Sequence, residues 1–96
     1  TAVAEAALVW YWEQVDDAVM RVRIGHQRGD TGAVVEKFLR GTGEQLLEIK
    51  SSLDESGEAS SCYWVVCDLM PAIPDGAACE ESDLDDISSL YDLLDE

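Results

Sequence analysis

The chain has 96 residues, 47% of them apolar, with 21 acidic side chains against 6 basic ones and a net charge of −15. That length suits one domain, 1–96, which buries only about two-thirds of its unfolded surface and has little core volume to yield to a catalytic cavity. The charge argues against direct binding of nucleic acid or of an anionic membrane surface, since both need clustered Lys and Arg, and no apolar run approaches the ~20 residues of a membrane span.

Residues 2–24 read as a long amphipathic helix. Leu8, Trp12, Val15, Val19 and Val22 recur at spacings of 4, 3, 4 and 3, which aligns them on one stripe. Asp17 and Arg21 stand four apart in the favourable acid-first order. Val9, Trp10 and Tyr11 widen the apolar surface beyond one stripe, so this helix is covered on two sides or forms part of an interface. Trp10, Trp12 and Trp64 are expected mainly to build the core. Residues 25–30 break the pattern as a loop. Asp30 or Thr31 then caps a short helix with Val34, Val35, Phe38 and Leu39 on its buried side, supported by a Glu36–Arg40 pair and ended by Gly41.

Thr42-Gly43-Glu44-Gln45 fits a capping box, with a hydroxyl at the cap and an amide three residues later. The helix it starts runs to about Leu53, buries Leu46, Ile49 and Leu53, and closes at Ser56-Gly57. Residues 61–69 are ambiguous. Tyr63, Trp64, Val65 and Val66 favour a strand, yet no second strand-like run is evident to pair with it. A buried helix entered through Ser60 or Ser61 fits equally, and a strand pairing with its own copy in a homodimer is a third option. Residues 70–79 hold both prolines and read as a loop. Ser82-Asp83-Leu84-Asp85 starts a last helix, with Asp83, Asp85 and Asp86 at the positive end of its dipole and Leu84, Ile87, Tyr91 and Leu94 as its stripe. The expected fold is mainly α, a small bundle of four to five short helices, with 61–69 as the one segment open to a strand.

Few chemical constellations stand out. Cys62, Cys67 and Cys79 are odd in number, which excludes a complete disulfide framework and fits a reducing setting, with one bridge plus a free thiol as the alternative. His26 and the cysteines are zinc-ligand types, but the short chelating pairs of structural zinc sites are missing. The acids around Asp83 lack the loop glycine and distal Glu of a helix–loop–helix calcium site. His26 is far in sequence from every Cys, and Gly41-Thr42-Gly43 is too short for a phosphate loop. Arg28-Gly29-Asp30 matches the tripeptide displayed by integrin-binding proteins, but a turn followed by an Asp cap explains it. No enzyme activity, metal or cofactor is expected.

The charge is asymmetric. Residues 1–50 carry 8 acids and all 6 bases, whereas residues 51–96 carry 13 acids and no base. A typical small domain needs a net charge of only about 2–8 for solubility. Salt adaptation would also enrich acids, but three Cys and three Trp fit it less well. Small acidic helical proteins of phages and mobile elements that inhibit nucleases, polymerases or repressors are similar in size and charge. That similarity implies a non-enzymatic inhibitor or interaction module, in the manner of a DNA mimic. It would offer Asp83, Asp85, Asp86, Asp92, Asp95 and Glu96 to a basic, nucleic-acid-binding protein. The alternative rests on Leu90-Tyr91-Asp92-Leu93-Leu94, which resembles the short L-x-x-L-L helices by which transcriptional activators dock into coactivator grooves. It implies an adaptor using Leu90, Leu93 and Leu94. The same leucines also suit the inner face of a core helix. The expected compartment is the cytoplasm, or the nucleus in a eukaryotic or viral setting.

Overall fold

A computed structural model describes residues 2–28, 32–71 and 87–95. In chain order these form α1 (Ala2–Glu13), β1 (Ala18–His26), β2 (Val35–Gly41), α2 (Gly43–Ala59), β3 (Tyr63–Met70) and α3 (Ile87–Leu94). The strands make one antiparallel sheet in the order β2-β1-β3. The fold is therefore α/β, and the expected helical bundle is incorrect.

The correction begins at Ala18. Val15, Val19 and Val22 satisfy a helical stripe, but the same stretch also alternates: Ala18, Met20, Val22 and Ile24 are fully buried, while Arg21 and Arg23 between them are half-buried. Side chains of a strand point alternately to its two faces, and β-branched Val and Ile favour that geometry. The long helix of 2–24 thus divides into α1 and β1. The short helix expected around Val34 to Leu39 is β2, whose Leu39 is buried opposite Met20 while Phe38 lies opposite Arg21 on the other face. Once β1 exists, residues 61–69 have a partner within the chain. Strand β3 pairs with β1 from Val19↔Met70 to His26↔Tyr63.

Helix α2 matches its expected start. Thr42 Oγ1 accepts from the Gln45 amide at 3.2 Å and Gln45 Oε1 accepts from the Thr42 amide at 3.0 Å, a complete capping box. Its end lies beyond the expected one. Gly57 does not close the helix but lies within it, and its lack of a side chain admits Val65, whose Cγ2 an added Cβ would meet at 2.7 Å. The helix stops at Ser60, whose N–H donates back to the Ser56 carbonyl at 3.0 Å.

Helix α2 contacts all three strands, and α1 and α3 both pack against α2. The core lies between this helical layer and one sheet face: Ala18, Met20, Val22, Ile24, Leu39 and Cys67 from the sheet, Leu46 and Leu53 from α2, Leu90 and Leu94 from α3. Each large apolar side chain removed from water this way contributes about 1.5–3 kcal/mol. At the α1–α2 junction the Gly43 N–H donates to the Val15 carbonyl at 2.8 Å, and a Cβ at 43 would run into the Trp12 carbonyl.

Candidate protein-binding surface

The leucines of the groove-docking alternative belong to the core. Leu90 is 2% and Leu94 5% exposed, and Leu93 packs half-buried against the same cluster. Using them on a partner would require α3 to leave the domain. Asp92 is exposed on the same helix and Asp95 is exposed just past its end. Asp83, Asp85, Asp86 and Glu96 lie outside the described residues, as do Cys79 and the Gly29-Asp30 part of the tripeptide. Trp12 packs against the core, and Trp64 lies across Gly25. Trp10, expected inside, is 65% exposed.

The loop pairing does bring His26 and a cysteine near one another. His26, Gln27, Arg28, Ser61 and Cys62 line one open depression of about 400 Å³, and His26 stacks on Tyr63 with ring centroids 5.0 Å apart. Among the described residues no carboxylate lines that depression to orient a nucleophile and base. Among the described residues no three His, Cys, Asp or Glu side chains stand together as a metal site. No described helix is long and apolar enough to cross a membrane.

Charge is divided between the two sides of the fold. Arg21 and Arg23 point away from the core and share Asp68 of β3, at 3.0 and 3.3 Å. Both Nε atoms are buried without a hydrogen-bond partner among the described residues. Arg40 forks onto Asp17 with two bonds of 2.9 Å, and Lys50 meets Asp54 one helical turn away at 2.7 Å. The guanidinium holds the Asp17 carboxyl below its usual value, chiefly through the hydrogen bond, and the Asp54 bond raises Lys50. Four of the six bases are thus tied to acids within the molecule. The helix pairs read from sequence, Asp17–Arg21 and Glu36–Arg40, are replaced by cross-strand and loop-to-strand pairs, because their residues lie on or beside strands.

In the helical layer Lys50–Asp54 is the one such pair among the described residues. Glu13 of α1, Glu44, Glu48 and Glu55 of α2, Asp92 of α3 and Asp95 just past its end are exposed and take part in no ion pair among the described residues. The first four line an open groove of about 870 Å³ between α1 and α2, together with Val9, Leu47, Gln14, Ser51, Ser52 and Lys50. Beside it, α1 leaves four consecutive large apolar residues, Leu8, Val9, Trp10 and Tyr11, 44–65% exposed. Its sequence, AVAEAALVWYWE, is apolar nearly all round. A soluble helix of that kind normally has both sides covered, yet the principal neighbour of α1 is α2.

Glu13, Glu44, Glu48 and Glu55 are not among the C-terminal acids, Asp83 to Glu96, expected to meet a partner. The signal was present: Glu44, Glu48, Ser51 and Glu55 follow the i, i+4, i+7, i+11 ridge of a helix whose start the capping box marks. What it lacked was α1 beside that ridge. Compared with protein-family models, curated proteins and solved structures, the chain matches none of them.

Proposed function

We propose that the protein is a non-catalytic interaction module that holds a basic protein against its acidic helical layer. The observation that carries this reading is the unequal treatment of the two charges. Arg21, Arg23, Arg40 and Lys50 are engaged inside the molecule, while Glu13, Glu44, Glu48, Glu55, Asp92 and Asp95 stand around the helices with no opposite charge paired to them among the described residues. Exposed like charges repel one another and oppose folding, so a complementary partner relieves a cost that the free protein bears. Nucleic-acid-binding proteins are the partner class richest in clustered bases, and inhibition by occupying such a surface is the mode of action that follows. Charge complementarity of this kind sets the encounter rate and the choice of partner more than raw affinity.

The experiment is capture from a nuclease-treated lysate with elution by a salt gradient, run in parallel with a variant carrying Lys at Glu44, Glu48, Asp92 and Asp95. The expected result is a basic protein released at moderate salt and absent from the variant, whose circular dichroism matches the wild type. A partner that stays bound in high salt and is retained by the variant would overturn the reading.

A further inference from the structure

We infer that the groove between α1 and α2 seats a single basic amphipathic helix of the partner. This inference rests on the acidic-partner reading and specifies the site and the shape of what it receives. Three features of the groove lead to it.

The first is chemical. Val9 and Leu47 supply apolar contact within the groove, and Glu13, Glu44, Glu48 and Glu55 supply negative charge around it. The one base in the lining, Lys50, is engaged by Asp54 at 2.7 Å. An occupant therefore needs an apolar stripe flanked by Lys or Arg. A wholly polar polycation would leave Val9, Leu47 and the adjoining Leu8 uncovered, and a wholly apolar helix would bury the glutamates unpaired.

The second is metrical. Glu44, Glu48 and Glu55 lie on one ridge of α2. At a rise of 1.5 Å per residue, the eleven steps from 44 to 55 span about 16 Å. A partner helix alongside α2 repeats the same spacing, so bases at matching positions over three turns meet all three carboxylates. An extended strand advances about 3.3 Å per residue and puts alternate side chains on opposite faces. It would cross this groove in five residues and turn half of them away from it.

The third is the state of α1 itself. Val9 lines the groove, and Leu8, Trp10 and Tyr11 extend the exposed apolar patch from it around α1. Aromatic residues in such a patch are typical anchors of helix-in-groove recognition. A second copy of this chain is a poor occupant. It would bring the same four glutamates against these, and the base in its own groove, Lys50, is engaged by Asp54.

The test uses the whole chain and three defined probes in calorimetry at low salt. One is a leucine–lysine peptide of about 15 residues patterned with the helical period. The second is the same composition in strict alternation, which suits a strand instead, and the third is oligolysine of equal charge. The full chain is compared with Val9→Asp and with a groove triple, Glu44→Gln, Glu48→Gln and Glu55→Gln. A control triple of equal charge change, Asp16→Asn, Glu36→Gln and Glu58→Gln, lies outside the groove. The expected result is that the helical peptide binds at least about tenfold more tightly than the other probes, equivalent to about 1.4 kcal/mol. Val9→Asp and the groove triple remove that advantage, and the control triple keeps it. Equal binding of all three probes, weakened alike by both triples, would overturn the groove while leaving the acidic-partner reading intact. So would tight binding of the helical peptide that ignores Val9→Asp and the groove triple. Failure of every cationic probe, oligolysine included, would overturn both.

Discussion

Cys67 and Cys62 are five residues and two environments apart. Cys67 points into the core at 8% exposure, whereas Cys62 is exposed. Burial, with a smaller contribution from the nearby Asp54 carboxylate, pushes the Cys67 thiol from its ordinary 9.0 up to about 11. The folded chain thus holds this proton to higher pH than the unfolded chain does. The resulting stability is complete below pH 9 and is lost as the pH rises through about 11, a change of roughly 2–3 kcal/mol for two pH units. The raised Lys50 ammonium acts with the same sign, since its bond to Asp54 vanishes when it deprotonates. Urea midpoints should therefore fall from pH 9 to pH 11 in the wild type and fall less in Cys67→Val. Equal slopes would show that the thiol is not what titrates. At the acid end Asp17, held low by Arg40, works in the opposite direction: its contribution exists above the ordinary carboxylate range and fades as the pH drops. A thiol reagent added to native protein should label Cys62 quickly and Cys67 only on unfolding.

The elements differ in how plainly their residues announced them. Helix α2 was legible because Thr42 and Gln45 form a local device that needs nothing else in the fold. The stretch 18–26 was not, since Val15, Val19 and Val22 satisfy a helical period while Ala18, Met20, Val22 and Ile24 satisfy a strand period. Only pairing with residues up to 51 positions away decides between them. Missing β1 then removed the partner of 63–70 and made its strand reading look unsupported. The acidic character of the site was legible in composition, but its location was not, because the groove exists only where α1 meets α2. That junction gives a sharp test. Gly43→Ala adds a Cβ where the Trp12 carbonyl sits, a backbone atom that cannot swing aside. The expected outcome is a displaced α1 with faster amide exchange at the Gly43 N–H and loss of at least about 1 kcal/mol, as for other overpacked sites. The same substitution at Gly32, where a Cβ meets nothing within 4 Å, should leave those amides unchanged.

For the whole molecule the strongest electrostatic influence outside the core is self-repulsion at a net charge of −15. Exposed pairs such as Arg40–Asp17 are largely screened by solvent already, so screening them costs little compared with what screening the carboxylates returns. Raising NaCl from roughly 0.05 to 0.5 M shortens the Debye length severalfold and should raise the melting temperature. A fall would mean that the ion pairs outweigh the repulsion. The strand order has a kinetic consequence as well. Strand β1 is central, yet one of its two neighbours, β3, arrives only after β2 and the whole of α2 have been made. Long-range pairing of this kind slows folding, because the loop must close before its contacts stabilise anything. On the ribosome β1 therefore waits with one edge unpaired until Met70 has emerged. A nascent chain halted before Tyr63 should be protease-sensitive and prone to aggregate, which makes the stretch of synthesis through α2 the most vulnerable period in this protein's life.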